Sequence, residues 1–530
     1  MGRLGGYLLL ATGLSIGVNQ ATWAQVFSFS PTHSYGNQDP RTSPSADALG
    51  QRGWLITPSI GLDFTKTDNV NLKSSGGDSD LITRLSPGIR VQGESARARA
   101  YIDFKLTQVN YLESHGQDNL QRALTGVANI KLVDNLLFLD VSGRIARQAI
   151  SAFGTPASGS DSINANVVES SMYQVAPYIQ GQLFGSADYR LRYENTFYDT
   201  KSTSSPLNNT TVQALQGNIS GTTTLTRLSW NINAYAQENT YSNDRTNETG
   251  AARATLTYAI DPQLRVLGIV GKESQDYLTT TKQTSSIKGL GFEWAPTERT
   301  QVAWTQEDRY FGQGRNFKFT HRTASTAWRV IDTRDVSILP PQAMTFSRGT
   351  YYDIYNELLR AQFPDDAARQ TETLARLQAL GISPQSQVIG GFMSSQASIN
   401  RNREASVIWS GVRNVVTLSA QSLDRAAMGP GNGLPDDFSN FNTPVIKQKG
   451  ATINWAHKFT PTATGTLVAN KSQTSGNTSS LSTDYLTYSA ILTNKLGAYT
   501  TGSLGLRRTE VTGGASYVEN AVIGSLLMVF

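Results

Sequence analysis

The sequence predicts an all-β protein, a single large antiparallel transmembrane β-barrel of about 22 strands, within a range of about 18 to 24, with a helical insertion in one long extracellular loop. Three observations lead to this fold class. The 530 residues include 46 glycines and no cysteine, and only 16% are charged. Long segments alternate between polar and apolar residues, and the connections between them alternate between short and long.

The alternation is clearest in two segments. In residues 96–107, Ala, Ile, Phe and Leu occupy every second position, and Arg, Tyr, Asp, Lys and Thr occupy the positions between them. Residues 227–237 repeat this order, with Leu228, Trp230 and Ile232 on the apolar side. A strand with one lipid-facing side and one water-facing side requires this period of two.

Strand length and connection length distinguish a membrane barrel from a soluble β-sandwich. Most segments reach the length of membrane strands, about nine to eleven residues, whereas sandwich strands run to about five or six. Short turns, such as residues 93–95, alternate with longer loops at 67–79, 151–169 and 199–208. An even number of strands would place both termini of the chain on the same side of the membrane.

The beginning of the chain has the features of a secretory signal. Arg3 precedes the apolar run 8–14, and Thr22-Trp23-Ala24 offers small residues for cleavage near Ala24. A membrane anchor is the alternative, but the run is too short for about 30 Å of hydrocarbon. The predicted division of the chain is a signal peptide over 1–24, a flexible N-terminal arm over 25–52 and the barrel over 53–530.

The end of the chain predicts the same location. Phe530 closes a row of period two with Met528, Leu526, Gly524 and Val522. An apolar row that ends in a terminal aromatic residue resembles the C-terminal assembly signal that the barrel-assembly machinery recognises. We therefore expect the bacterial cell outer membrane as the location, and outer-membrane lipid and this machinery as partners.

Aromatic residues are expected at both membrane interfaces, where amphipathic rings concentrate. Seven tryptophans lie within a few residues of a predicted short turn, which makes them interface residues: Trp54, Trp230, Trp294, Trp304, Trp328, Trp409 and Trp455. Tyrosines near the long loops predict a second girdle: Tyr111, Tyr198, Tyr241, Tyr277 and Tyr310.

One stretch interrupts the strand pattern. Within a long loop over 339–393, residues 351–362 and 365–380 have helical character, with Gly381 as a terminator. Ordered loops of this length are often functional. The loop is equally consistent with a lid or lumen constriction and with a helical hairpin on the rim.

Several segments, taken in order, resemble one known family. They are residues 54–64, 67–72, 85–90, 138–141, 151–154, 177–179, 187–193 and 364–370. Over nearly the whole mature chain, the sequence is similar to the PEP-CTERM system-associated outer-membrane proteins. The resemblance implies an outer-membrane barrel in bacteria in which exopolysaccharide production and exosortase sorting systems occur together. It implies no catalytic site.

The sequence offers little for catalysis or metal binding. The two adjacent carboxylate pairs, Asp365-Asp366 and Asp436-Asp437, fit a capped turn or a solvated surface better than a calcium site. Acid-base catalysis needs a base close to a nucleophile, but one of the four histidines lies in the predicted N-terminal arm and the other three are divided between the two rims of the predicted barrel. We expect no enzyme, no cofactor, no metal and no nucleic-acid partner. The histidines are His33, His115, His321 and His457.

Basic residues recur on the faces predicted to line the lumen: Arg97, Arg99, Arg144, Arg190, Arg192, Arg227 and Arg507. In one interpretation they select anions, since positive rings favour anions in a pore. In the other they pair with neighbouring acids and stabilise the wall, which is common in polar barrel interiors. We favour the second. The candidate acidic neighbours are Asp103, Asp140, Asp188 and Glu194.

Two functions follow from this architecture. A barrel of this width can hold an aqueous lumen and serve as a conduit for anionic solutes or polysaccharide, unless the N-terminal arm or loop 339–393 plugs it. Alternatively, the protein is a non-conducting scaffold or binding protein whose helical loop contacts partners, such as polysaccharide or export-system proteins.

Overall fold

A computed structural model describes residues 53–157, 159, 161–201, 209–278, 281–338, 373, 391–394, 396–429, 436–478 and 480–530. Within these residues a one-turn 3₁₀ helix (His115–Gln117) and a short α-helix, α1 (Asp437–Asn440), lie in loops. The strands in the same part of the chain are β1 (Trp54–Thr67), β2 (Asp80–Glu94), β3 (Ala98–Tyr111), β4 (Asn119–Val133), β5 (Leu137–Ala149), β6 (Val167–Leu183), β7 (Ala187–Lys201), β8 (Thr210–Thr222), β9 (Leu228–Tyr241), β10 (Thr246–Ala259), β11 (Leu264–Gln275), β12 (Gln283–Thr297), β13 (Thr300–Arg309), β14 (Gly312–Arg322), β15 (Thr326–Ser337), β16 (Ser398–Ser410), β17 (Asn414–Ala427), β18 (Val445–Lys458), β19 (Ala463–Ser475), β20 (Ser482–Lys495), β21 (Thr500–Gly513) and β22 (Tyr517–Val529).

The 22 strands form one closed sheet. Each strand pairs antiparallel with the next, and β1 pairs with β22 from Ser59 opposite Val529 to Thr67 opposite Ala521. Closure satisfies the backbone hydrogen bonds of the first and last strands, so the described sheet has no free edge. The predicted fold class and number of strands are confirmed.

The two rims differ in the length of their connections. Each even-numbered strand from β2 to β20 is connected to the next strand by a short turn. In the turn after β6, Gly185 has a φ of +68°. Glycine adopts this left-handed conformation without steric strain. Longer connections, such as 150–166 and 338–397, lie mostly at the other rim. Short turns face the periplasm in outer-membrane barrels, so the long loops face the exterior.

The two faces of the sheet differ in chemistry. On β1, Ile56 and Phe64 point outward and are 58% and 45% exposed, whereas Thr65 and Thr67 are buried on the inner face. Exposed leucine, isoleucine and valine side chains continue this outward row on the other strands. A closed barrel with an exposed apolar band on its outer face is stable when that band contacts the hydrocarbon of a membrane rather than water. The chain is therefore an outer-membrane type of transmembrane β-barrel.

All seven predicted interface tryptophans lie on the outer face. Each is within five residues of the end of its strand at the short-turn rim. Their outward direction follows from the register, because Trp304 flanks the inward, buried Ala303 and pairs with the outward Phe292. The placement of this row of rings fits the predicted periplasmic interface, which stays a prediction.

The predicted second girdle of tyrosines is wrong. Tyr111, Tyr198, Tyr241 and Tyr277 are buried, and the first three lie on the inward face of their strands. At the long-loop rim, loops cover the inner face and exclude water from these rings. Tyr111 shows this directly, because its hydroxyl donates to the backbone carbonyl of Asp161 at 3.1 Å.

Three predictions fall on residues whose structure is not described. They are the signal peptide over 1–24, the N-terminal arm over 25–52, and the two helices over 351–362 and 365–380, apart from Thr373. These stay predictions, as does the interpretation of that helical segment as a lid or a rim hairpin.

Candidate functional site: the lumen wall and a loop lid

Two of the predicted arginines, Arg190 and Arg192, lie together on the inner face of β7. The Arg192 guanidinium forms ion pairs with Asp140 of β5 and, at 2.7 Å from Nε, with Glu194 of its own strand. Arg190 donates from Nε to Gln180 Oε1 of β6 at 3.1 Å. The antiparallel register brings these side chains together, because alternate residues of β5, β6 and β7 face the lumen.

Tyr178 of β6 is the centre of this cluster. The guanidinium carbons of Arg190 and Arg192 lie 5.1 and 5.6 Å from its ring centre, within the range of cation–π attraction. Phe138 stacks on the same ring at 5.0 Å, and Asn129 donates to its hydroxyl at 3.1 Å. Both arginines are thus held by acids, an amide and an aromatic ring, and they form part of the wall.

A second cluster, on β10 to β15, was not predicted from the sequence. Arg309 lies 2.5 Å from Glu273, 3.4 Å from Glu307 and 3.5 Å from Asp335, and its side chain is only 7% exposed. Arg253 lies 3.3 Å from Glu307. The period of two in these strands places all five groups on the inward face, but only the pairing of neighbouring strands shows that they meet.

Further ion pairs extend this pattern around the inner wall. Arg329 lies 2.6 Å from Glu404, and Arg90 lies 2.7 Å from Asp103. Thus Asp103, proposed as a partner for the predicted arginines, pairs with Arg90 instead. The favoured interpretation, in which basic lumen residues pair with neighbouring acids, describes the arrangement at these positions.

The remaining predicted arginines do not join one site. Arg97 and Arg227 lie in short turns rather than in strands, since β3 begins two residues and β9 one residue later than the alternating pattern suggested. Arg99 faces inward at the short-turn rim and pairs with Glu94 at 2.8 Å. Arg144 is buried on the inner face of β5. They therefore lie at separate levels and sectors of the barrel.

Arg507 of β21 belongs to a third cluster near the long-loop rim. It lies 2.9 Å from Glu519 of β22, which also accepts a hydrogen bond from Thr67 of β1 at 3.0 Å. Arg507 is 3.7 Å from Asp161, a residue of the β5–β6 loop. Burial raises the pKa of Asp161, but the charges of Arg507 and Arg84 outweigh burial and hold that pKa below its usual value.

The β5–β6 loop therefore reaches across the inside of the barrel rim. The Tyr517 hydroxyl of β22 donates to the carbonyl of Pro156 at 2.6 Å, and the Ile163 N–H donates to the carbonyl of Val70 at 2.9 Å. These contacts attach the loop to the wall near β1 and β22, four or more strands from its own origin. The loop lies over the lumen.

The same loop also contacts the opposite wall. The Met393 N–H, just before β16, donates to the carbonyl of Ala149 at 3.2 Å, and Phe392 forms a parallel β-bridge with Ala149. The Ala152 N–H donates to Oδ2 of Asp437 in α1 at 2.6 Å. Since β5 and β16 lie eleven strands apart in a ring of 22, these contacts cross the mouth of the barrel. We call the described parts of 150–166, 391–397 and 428–444 the loop lid.

The loop lid has an apolar centre where these segments meet. Phe392, Phe438 and Ile446 are buried against one another, and Phe153 packs edge-on against Phe441 with ring centres 5.1 Å apart. Water is therefore excluded from the contact between opposite walls. Burial of this apolar area stabilises the closed arrangement.

Two carboxylates beside this centre have different roles. Asp436 caps α1, since its Oδ1 accepts a hydrogen bond from the Ser439 N–H at 3.0 Å. This is the capped turn that the sequence favoured for the adjacent pair. Asp437 is buried, and burial raises its pKa to about 6, while hydrogen bonds from Ser151 and Ala152 oppose this rise.

Among the described residues, no group of three or more His, Asp or Glu side chains has a geometry that could hold a metal ion. In the same part of the chain, no helix is long and apolar enough to span a membrane. Of the histidines, His321 and His457 lie on the outer face at the short-turn rim, where His457 Nδ1 is 2.8 Å from Asn414 Oδ1.

No protein-family model and no curated protein matches the sequence. Solved structures of similar fold include the siderophore receptor PirA of Pseudomonas aeruginosa, at 8% identity and a TM-score of 0.46, with 90% of this chain and 80% of that chain covered. The ferric enterobactin receptor of the same organism has 8% identity, a TM-score of 0.48 and coverages of 91% and 82%. The FrpB iron transporter of Neisseria meningitidis has 10% identity, a TM-score of 0.48 and coverages of 89% and 82%.

Proposed function

We propose that the protein is an outer-membrane conduit for anionic solutes or polysaccharide, with its outer mouth closed at rest by the loop lid. The observation that carries this proposal is the contact between opposite walls, from Ala149 of β5 to Phe392 and Met393 before β16. A 22-stranded barrel is wide enough for an aqueous lumen or a plugged one. A closure built of loops can open without breaking the barrel.

The inner wall favours polysaccharide over small anions as the substrate. Arg192, Arg309 and Arg507 each have an acid within ion-pair distance, so these guanidinium groups present little uncompensated charge. Thr125, Gln216 and Asn218 are among the neutral polar residues that are partly exposed on the inward face of the strands. Hydroxyl and amide groups of this kind exchange hydrogen bonds with sugar hydroxyls. The link to exopolysaccharide production and to exosortase sorting rests on the family resemblance alone.

The loops can act as a lid because they are attached less firmly than the strands. A strand makes backbone hydrogen bonds along its whole length, whereas the lid crosses the mouth through a few bonds and one apolar cluster. Such segments open locally at a free-energy cost well below that of global unfolding. Opening would expose the lumen to the exterior.

Single-channel conductance of the refolded protein in a planar bilayer tests the proposal. We expect long closed periods for the wild type and frequent openings for a double variant, Phe392→Ala with Phe438→Ala, which removes the apolar centre of the lid. Val412→Ala, at a 97% exposed position in a short turn, is the control and should behave as the wild type. Stepwise block by an acidic oligosaccharide would support polysaccharide as substrate. Silence of all three proteins would favour the non-conducting scaffold.

A further inference from the structure

The outer wall of β14 to β19 carries a concentration of cationic side chains at its exterior end. We call them the outer-wall basic patch, which comprises Arg315, Arg334, Arg401, Arg403, Lys447, Lys449 and Lys471. The patch spans six consecutive strands, and its residues come from five of them, because β17 contributes none. None of the seven residues was singled out by the sequence, because alternation alone does not show that they share one sector.

The register places these residues on the lipid side. On β16, Arg401 and Arg403 share the parity of the exposed Trp409, and the intervening Glu404 and Asn402 are buried on the lumen side. The same reasoning applies on β18, where Lys447 and Lys449 alternate with the buried Gln448 and share the face of the exposed Ile453.

The patch lies at the outer end of the apolar band. Arg401 is eight residues from Trp409, about 26 Å along the strand and about 20 Å along the barrel axis at the usual strand tilt. Lys447 has the same separation from Trp455, and Arg403 and Lys449 lie two residues nearer the tryptophans. The apolar band is about 25 Å tall, so the long flexible stems bring the cationic groups to its outer boundary. This boundary is the level of lipid head groups in the outer leaflet, whereas the tryptophans mark the periplasmic interface.

The charge of the patch is unbalanced. Asp332 and Asp424 are the acidic residues on this part of the outer face, so seven cations against two carboxylates leave a net charge of +5. Asp332 lies 3.1 Å from Arg401, and Asp424 lies 2.8 Å from Arg403. Lys447, Lys449 and Lys471 have no ion pair within the part of the chain that the structure describes.

Other sectors at this level mix both signs. On β4 and β6, Arg122 forms an ion pair with Glu169, and on β21, Arg508 pairs with Glu510 at 2.7 Å. The outer-wall basic patch therefore differs from its surroundings in net charge as well as in number of cations. A purely solvated rim would not require this segregation.

We propose that the outer-wall basic patch binds the phosphate groups of anionic lipids in the outer leaflet. Guanidinium groups form bidentate hydrogen bonds with phosphate, and ammonium groups bind phosphate as point charges. Anionic head groups next to the apolar band would neutralise the charge while their chains pack against the outward leucines and valines. A second copy of the same chain fits poorly, because two such patches repel each other.

Native mass spectrometry of the refolded protein with added lipid tests this proposal. The probes are diphosphorylated lipid A and its fully dephosphorylated form, which share the same acyl chains. The test variant is Lys447→Gln, Lys449→Gln, Lys471→Gln, chosen because these lysines hold no ion pair of the wall. The matched control is Lys66→Gln, Lys272→Gln, Lys288→Gln, which removes three outward lysines from β1, β11 and β12.

We expect the wild type and the control to retain the phosphorylated lipid and the test variant to bind it about tenfold more weakly or worse. The dephosphorylated lipid should bind all three proteins weakly and equally. Equal losses in both variants would show an effect of total charge and overturn the proposal. So would unchanged binding in the test variant, or a dimer of the lipid-free wild type that the test variant loses.

Discussion

The guanidinium carbon of Arg425 lies 4.3 Å from the ring centre of Phe392, which joins the wall at β17 to the segment that bridges to β5. Both side chains are buried, and Asp437 lies close enough to Arg425 for their charges to interact. One apolar ring, one cation and one carboxylate therefore meet where the loop lid crosses the barrel mouth. The stability of the lid depends on this contact.

Phe392→Ala should open the lid without unfolding the barrel. Truncation of a buried phenylalanine costs about 3–5 kcal/mol in a packed core, and here it also removes the ring beneath Arg425. We expect the fraction of time in the open state to rise at least tenfold in bilayer recordings. For Phe392→Leu, which keeps most of the apolar volume, the fraction of time in the open state should rise much less. Equal behaviour of the two variants would contradict a packing role.

Opening should depend on pH through Asp437. Burial raises the pKa of this carboxyl to about 6, so between its usual value near 4 and about 6 the closed lid binds a proton more tightly than the open one. The resulting stabilisation is complete below the usual pKa and is lost as pH rises through about 6. The lid should open more often at pH 7.5 than at pH 4.5.

The control for this pH dependence is Asp437→Asn. The amide oxygen can still accept the hydrogen bond from Ala152, but the side chain no longer titrates. Recordings of this variant at pH 4.5 and pH 7.5 should show similar opening. If its pH dependence equals that of the wild type, another group controls the lid.

Arg192→Ala should destabilise the barrel wall. It would leave Asp140 and Glu194 without their shared cation on a largely buried surface, a change that typically costs about 3–5 kcal/mol. We expect a lower midpoint of urea-induced unfolding in vesicles, measured by tryptophan fluorescence. Arg97→Ala, in an exposed pair 3.9 Å from Asp134, should change the midpoint little. Similar midpoints for both variants would show that the buried cluster adds no stability.

Single cysteines test the register of the inner wall, since the natural chain has none. A water-borne maleimide should label Arg190→Cys on the lumen side once the lid is opened by Phe392→Ala, and it should leave Leu191→Cys on the lipid side unlabelled. A lipid-dissolved maleimide should give the opposite result. A one-residue shift of β7 would exchange the two patterns, because side chains alternate between faces.

The sequence carried the fold because local periodicity determines it. Residues 96–107 and 227–237 alternate between polar and apolar residues. The observed register places the polar residues of both segments on the inner face, as Asp103 of β3 and Asn233 of β9 illustrate. The outward tryptophans follow from the same period and from closeness to short turns. These features need only neighbouring residues, so they could be predicted without the structure.

The site could not be predicted in the same way, since it depends on contacts between distant residues. The hydrogen bond from Ala152 to Asp437 joins positions separated by 285 residues, and no periodicity indicates it. The ion pairs of Arg309 require the pairing of five neighbouring strands, β11 to β15. Tyr111 and Tyr198 were assigned to the membrane interface only because they lie near the long loops. Both are on the inward face of their strands and are buried.

The lid can be tested most directly by locking it. Ala149 and Phe392 are bridge partners, so their Cα atoms lie at about the 5 Å separation that a disulfide spans. The double variant Ala149→Cys, Phe392→Cys should conduct when reduced and be closed when oxidised, whereas either single variant should ignore the redox state. Equal conductance of the oxidised and reduced double variant would contradict closure of the barrel by these loops.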